Sequence, residues 1–301
     1  MGALDAVDRL PIKLQCGRYN FVVEADSKGF FANIEHGWLV RMLEERIEDG
    51  AFLRLIKTWL KAGVLDTDGQ VLHPATGTPP GGSRSPILAH VYWHDALDLW
   101  FHQGVKPRCR GEACLIRAAD DCVCAFQHQV DAERFYQALG QRLRKVGLEV
   151  SADKTRGIPV SRHQAPGHTS FDCLGCECRW GQDRTGKPHL KRRTSRQKLR
   201  NSRQRVTDWC KEKCRYRRKD LFRELQTKLR GYDHDYGVNG NSASLREFFT
   251  GAMRLLFRWL NRRSQRRSST WAGFRTLLHH FRVERPRIVG RPPMRLAAGR
   301  T

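Results

Sequence analysis

Two short apolar segments, residues 115–119 (LIRAA) and 122–126 (CVCAF), are interrupted by a pair of acids, Asp120 and Asp121. A single strand or helix does not accommodate that pattern, whereas a β-hairpin does, with apolar strands on either side and the acids at the turn. A second apolar run, residues 19–25 (YNFVVEA), reads as a buried strand and also ends on an acid, Asp26. Carboxylates at the ends of buried strands are costly unless cations or hydrogen bonds offset them. Three of them on adjacent strand ends can hold two Mg2+ ions roughly 3.5–4 Å apart, an arrangement that activates an attacking hydroxyl and stabilises the charge developed in phosphoryl transfer. The plainer reading of Asp120 and Asp121 alone is a turn, where Asp is favoured without any chemistry.

Charge divides the chain sharply. The first 150 of its 301 residues carry 18 of the 55 Lys and Arg and 19 of the 31 Asp and Glu, so the formal net charge of +24 lies wholly in the second half. A near-neutral catalytic body joined to a module that grips a polyanion divides in this way. With 40% hydrophobic residues the chain is not disordered as a whole. Apolar runs such as residues 87–91 fall far short of the ~18 residues of a membrane span. Asp5, Asp8 and Arg9 stand where a signal peptide would be apolar, so a cytoplasmic protein without a membrane partner is expected. The ten cysteines have no even spacing and are expected to be free thiols.

Apolar periodicity predicts helices over residues 36–48, 51–62, 85–102 and 130–146, with Ser85 and Pro86 as an N-terminal signal. Residues 77–82 are crowded with Gly and Pro and form a loop. Gly77, Gly81 and Gly82 there remove side chains, so that backbone can approach a sugar-phosphate or simply turn. Residues 171–180 and 189–191 read as a further hairpin. From residue 194 onward only helices are expected, at 194–214, 216–230, 242–263 and 270–281. The fold class is therefore α+β. Residues 1–190 form an antiparallel sheet packed on helices, 191–285 an all-helical basic domain, and 286–301 a disordered basic tail.

The segments VVEADSKGFFANIEH (22–36), GTPPGGSRSPILAHVY (77–92) and LIRAADDCVCAF (115–126) resemble, in order and interval, the palm motifs of bacterial group II intron reverse transcriptases. GLEVSADKTR (147–156) and FDCLGC (171–176) are similar to the motifs that close that palm. LRGYDHDYGVNGNSASLREFF (229–249) and LFRWLNRRSQRRSSTWAGF (256–274) resemble the family's thumb, or maturase domain X. The resemblance implies an RNA-directed DNA polymerase that adds deoxynucleotides to a primer 3′-hydroxyl. It implies two Mg2+ ions on Asp26, Asp120 and Asp121. It implies as partners group II intron RNA, an RNA template with its DNA primer, and deoxynucleoside triphosphates. Lys154 falls near the incoming nucleotide, and Phe171, Leu174 and Gly175 fall at the primer grip. Phe30 either stacks on the nucleotide sugar or fills the core. Arg192, Arg193, Arg262, Arg263, Arg266 and Arg267, with Trp209, Tyr216, Trp259 and Trp271 among them, are the expected RNA contacts.

The sequence departs from the family at Ala118, where the motif has an aromatic residue, and at Pro80, where it has Gln. Cys122, Cys173, Cys176 and Cys178 replace bulky apolar residues, and Asp233 and Asp235 replace aromatics. The chain opens about 20 residues before the first catalytic strand. Either the chain is a fragment lacking the fingers motifs, or a partner or a second copy is expected to supply them. Two alternatives accompany the main reading: a truncated copy acting only as an RNA-binding splicing protein, and a reverse transcriptase of the retron or phage-defence type.

Overall fold

The structure, a computed structural model, describes residues 3–62, 64–65, 71–72, 76–78, 85–118, 121–151, 155–160, 170–173, 175–183, 185–213, 215–262 and 269–289. For residues 3–9, 64–65, 71–72, 118 and 156 it describes the backbone alone. The chain forms two compact units, one of residues 13–173 and one of 174–301 together with 2–12. The division thus falls at Cys173 rather than near residue 190, because the hairpin expected in the first domain packs with the helices of the second.

An N-terminal helix, α1 (Ala3–Cys16), was not expected from the sequence; Pro11 lies inside it and argues locally against a helix. The first unit runs from the last residues of α1 through β1 (Phe21–Ala25), a 3-10 turn (Phe30–Ala32), α2 (His36–Glu44) and α3 (Gly50–Lys61). The Asp49 carboxylate caps α3 by accepting from the Ala51 and Phe52 amides at 2.8 and 3.1 Å. A small ladder, β2 (Val64–Leu65) with β3 (Val71–Leu72), precedes α4 (Ser85–Trp93), whose helix widens into π-type turns over His94–Leu99 and Phe101–Val105. Then come β4 (Ala113–Ala118), β5 (Asp121–Phe126), α5 (Gln129–Lys145), β6 (Arg156–Pro159) and β7 (Ser170–Cys173).

Strands β4, β5, β1 and β6 form one antiparallel sheet in that order. Side chains alternate across a strand, so each sheet residue belongs to one of two faces. Phe21, Val23 and Ala25 of β1 stand opposite Phe126, Cys124 and Cys122 of β5, and all six join the core built with the helices. Tyr92, Trp93, Phe101, Phe135 and Leu139 fill that core. The opposite face carries Val22 and Glu24, paired with Ala125 and Val123. On the helix side, Arg117 of β4 is held by Asp98 through two bonds of 2.9 and 2.6 Å, and its guanidinium also meets His90 Nδ1 at 3.3 Å.

The second unit consists of the hairpin β8 (Cys176–Gln182) and β9 (Pro188–Thr194), and of α6 (Arg196–Lys213), α7 (Arg218–Tyr236), α8 (Ser242–Asn261) and α9 (Trp271–His280). The strand expected over 171–180 is broken, because Gly175 takes a left-handed φ of 76°. Leu221, Phe222, Leu225, Phe248, Leu256 and Phe274 make the helical core, and Trp209 lies within it rather than on the surface. Asp235 is exposed, whereas Asp233 is partly buried, which pushes its carboxyl up, and accepts from the Arg287 amide at 3.0 Å. Val289 donates to the Gly237 carbonyl at 2.8 Å. Residues 286–289 are therefore tied to the end of α7 and do not belong to a disordered tail.

Two substitutions test this architecture. The fully buried Tyr92 hydroxyl donates to the Val146 carbonyl, and burial pushes its pKa up to about 12. Tyr92→Phe orphans that carbonyl and is expected to cost about 1–3 kcal/mol in urea unfolding. His90 titrates below its ordinary 6.5, first because of partial burial and then because of Arg117. A depressed histidine pKa means that the unfolded chain binds the proton more tightly. Its contribution to stability is whole above about pH 6.5 and is lost as pH falls through the depressed value. His90→Gln is expected to flatten the decline of melting temperature over that window.

Candidate active site

Asp26 follows β1 directly and Asp121 opens β5. The pairing of Ala25 with Cys122 sets these two acids at neighbouring positions at the same end of the sheet. Alternation carries Asp121 onto the face of Val123 and Ala125, and Asp26 onto that of Val22 and Glu24, so both acids lie on the face away from the helices. Asp121 is exposed and Asp26 partly so. Asp120 lies outside the described residues, as do Gly81, Gly82, Lys154 and Leu174. Among the described residues no group of three or more His, Cys, Asp or Glu side chains gathers as a metal site.

The chain leaving Asp26 is fixed from behind. Ser151 donates to the Asp26 carbonyl at 2.9 Å, Ser27 bridges Val150, and the Lys28 amide reaches the Glu149 carbonyl at 3.0 Å. Gly29, at φ 59°, then turns the backbone into the Phe30–Ala32 turn. Phe30 is buried, with its ring 5.0 Å from that of Trp93, so of its two readings the core one holds. Phe31 is the ring left open to solvent, at 37% exposure. The sequence shows two adjacent aromatics; which of them is outward depends on the 3-10 turn, which sequence periodicity does not report.

Gly77 has a different use from the one the sequence suggested. Its amide donates to the Ile34 carbonyl at 2.7 Å and its carbonyl meets His36 Nε2 at 2.7 Å. A Cβ there would lie 2.8 and 2.9 Å from the carbonyl oxygens of Ala32 and Phe31. Both backbone groups are thus engaged within the protein, and the missing side chain makes room for the turn after Asp26, not for a phosphate. Thr78 completes the seat by donating to the Phe31 carbonyl at 2.9 Å.

Glu24 was overlooked in the sequence, although a carboxylate inside FVVEA, two residues before Asp26, was the available signal. It is buried, on the face of the acids, and accepts a hydrogen bond from the Asp172 amide of β7. Phe171 and Cys173 flank that amide and point inward at 1% and 6% exposure. Phe171 therefore anchors β7 and does not present its ring to a primer. Gly175 forms the left-handed turn before β8.

In the second unit Arg192 is buried and donates to the Asn239 carbonyl at 3.0 Å, while Arg193 makes a two-bond pair with Glu177 at 2.9 and 2.7 Å. These two arginines brace the hairpin. Arg262 stacks its guanidinium over Trp259 at 5.1 Å, and Arg263, Arg266 and Arg267 lie outside the described residues. Tyr216 and Trp271 are the exposed aromatics among the four expected to stack.

The sequence profile described as reverse transcriptase (RNA-dependent DNA polymerase) matches residues 7–178. The group II intron-encoded protein LtrA of Lactococcus lactis is 40% identical over 84 residues, 28% of this chain and 14% of that protein. The 91 kDa protein in the cob intron of Schizosaccharomyces pombe is 40% identical over 141 residues, 47% of this chain and 16% of that protein. The COX1/OXI3 intron 2 protein of Saccharomyces cerevisiae is 34% identical over 89 residues, 28% of this chain and 10% of that protein. The chain thus spans a small part of the length of these relatives. Among solved structures the apo telomerase of Candida tropicalis shares the fold, with a TM-score of 0.51 at 12% identity over 93% of this chain and 50% of that one.

Two backbone-level tests follow. Gly77→Ala forces an L-residue to φ 88° against two carbonyl oxygens and is expected to lower stability by about 1–3 kcal/mol in denaturant titration. Glu24→Ala strands the Asp172 amide and is expected to cost a similar amount, about 1–3 kcal/mol, with Glu24→Gln losing less because it keeps an acceptor.

Proposed function

Because the chain belongs to the reverse transcriptase family, we propose that it is the polymerising and RNA-binding part of a group II intron-encoded protein. It adds deoxynucleotides to a primer 3′-hydroxyl along an RNA template. The observation that carries this reading is the Ala25–Cys122 register, which brings Asp26 beside Asp121 on the sheet face away from the helices. The donor set fits Mg2+ in kind: Asp26 and Asp121 offer carboxylate oxygens, the ligands that hard cations take. Asp26, Asp121 and, from the sequence, Asp120 would hold the ions. When bound, Mg2+ favours the deprotonated primer hydroxyl and neutralises charge on the phosphates.

The residues themselves do the positioning. The Asp26 carbonyl accepts the Ser151 amide just past the end of β1, and Asp121 pairs with Ala118 in the β4–β5 ladder, so the backbone at both acids is tied to the sheet. Phe31, outward on the turn after Asp26, would lie against a nucleotide sugar, a reading supported by its exposure where Phe30 is buried. Lys154 would meet the triphosphate. The basic helices of residues 196–261 would hold RNA through its phosphates.

The second reading, RNA binding without polymerisation, is favoured by Ala118, which lacks the aromatic ring next to the acids. Primer extension on an RNA template decides between them. The chain is expected to extend a primer only with Mg2+, and Asp26→Asn or Asp121→Asn is expected to reduce the rate by at least about a hundredfold to a thousandfold. No Mg2+-dependent extension by the unmutated chain would exclude the polymerase reading.

A further inference from the structure

Arg117 stands where the apolar row of an outer strand ends in a cation. Ala113, Leu115 and Arg117 alternate onto the helix side of β4, and the first two pack with the core. Arg117 pairs with Cys122, which is buried in that same core. Its own side chain is only 11% exposed and that of Asp98 21%. Among the described strands β4 borders the sheet, so its last residues have a ladder on the β5 side alone. The next pair after Arg117 and Cys122, Ala118 with Asp121, is the last of that ladder and carries a candidate Mg2+ ligand.

The segment that grips Arg117 is itself braced. Asp98 lies in the π-type stretch His94–Leu99, a widened helical turn of a kind that recurs at functional positions. Arg142 of α5 donates to the Asp95 and Ala96 carbonyls in that stretch at 3.0 and 2.9 Å, and Arg46, just past α2, binds the Asp95 carboxylate with both terminal nitrogens. Asp98 then takes two bonds from Arg117, at 2.9 and 2.6 Å, and His90 Nδ1 takes a third at 3.3 Å. His94 Nδ1 stands 3.6 Å from the same Asp98 carboxylate. Stability does not account for this pair. Replacing an ion pair of such burial by apolar side chains of similar size commonly leaves a protein as stable or more so, because desolvation consumes most of the attraction. A Leu or Met opposite Cys122 would simply continue the row of Ala113 and Leu115. What the ion pair supplies is direction: two parallel bonds fix the angle of the guanidinium as well as its place, and with it the strand that bears it.

We propose that Arg117, locked to Asp98 and His90, is a positioning residue for the Mg2+ ligands: it fixes the end of β4, and thereby the backbone from which Asp121 projects on the opposite face. The strand register brings the acids together, and the clamp keeps the outer strand from relaxing away from that register. Its bonds to Asp98 and His90 lie on the helix side, so the effect runs through the strand. The proposal rests on the reading of Asp26 and Asp121 as Mg2+ ligands.

Mn2+ titration of the full chain, with free Mn2+ counted by electron paramagnetic resonance, tests it without relying on activity. Asp98→Asn with Arg117→Met removes the charge of both partners at once. This double variant is expected to keep the melting temperature within about 2–4 °C while binding Mn2+ about tenfold more weakly. Arg117→Lys keeps the charge without the planar fork and is expected to weaken binding by about the same factor. The Mg2+ concentration for half-maximal primer extension is expected to rise in parallel in both. A residue that merely held the fold would lower Mn2+ affinity only together with the melting temperature. Should the double variant not fold, Arg117→Lys decides alone. Unmutated Mn2+ affinity in the folded double variant or in Arg117→Lys would overturn the proposal. Asp26→Asn is the control and is expected to abolish binding. Binding lost there but intact in the Arg117 variants removes the positioning role and leaves the acids as metal ligands, whereas binding that survives Asp26→Asn removes the metal reading and this proposal together.

Discussion

The antiparallel register between β1 and β5 is the constraint on which the first unit depends. Pairing Ala25 with Cys122 buries Val23, Cys124 and Phe126 on one face and carries Asp26 and Asp121 together on the other. A slip of one residue would invert both sets at once, moving carboxylates into the core and rings into water, so the same hydrophobic pattern that secures the sheet also secures the acids. The site needs no separate device to bring its carboxylates together. What remains is to hold the chain beyond Asp26, and the bonds from Ser151 and Lys28 and the docking of residues 76–78 do so through backbone groups.

Elements defined by local pattern were legible in the sequence. The hairpin around Asp120 and Asp121, the strand before Asp26 and the helices beginning at His36, Gln129 and Ser242 all follow from alternation or from 3.6-residue periodicity. Features that depend on tertiary context were not. β6 is a four-residue strand, RGIP, with neither alternation nor β-branched enrichment beyond Ile158, and it exists because it pairs with β1. The helix α1 is obscured by Pro11, and the break at Gly175 is obscured by the apolar residues on both sides of it. Hydrophobic pattern records what a segment buries, whereas φ at one glycine or the partner of one edge strand is decided elsewhere in the chain.

The candidate site shows the same division at the level of single residues. The strand-end positions of Asp26 and Asp121 were legible because charge at the end of a buried strand is costly and therefore informative. Phe30, Gly77, Phe171, Arg192 and Arg193 have the residue types that nucleotide and RNA binding use, yet each is spent within the protein: on the core, on a tight backbone approach, on anchoring β7, or on bracing the hairpin. Residue type announces capacity. Whether the capacity faces outward depends on which side of an element is buried, and for Phe30 and Phe31 that choice lies one residue apart.

The charge surplus of the second half carries an energetic implication of its own. Concentrating cations on α6, α8 and the hairpin raises the free energy of the folded unit through self-repulsion, and a helical core rich in Leu and Phe, with Trp209 and Tyr232, must offset it. Several cations are relieved locally: Arg193 by Glu177, Arg230 by Glu284, Arg223 by Asp220. Among the described residues the pairs Arg196 with Arg200 on α6 and Arg254 with Arg258 on α8 are not, although a single Glu at position 200 or 258 would relieve one of them. Repulsion left uncorrected where correction needs one residue is the thermodynamic counterpart of an anion-binding surface: the free state is raised, and the complex recovers the difference.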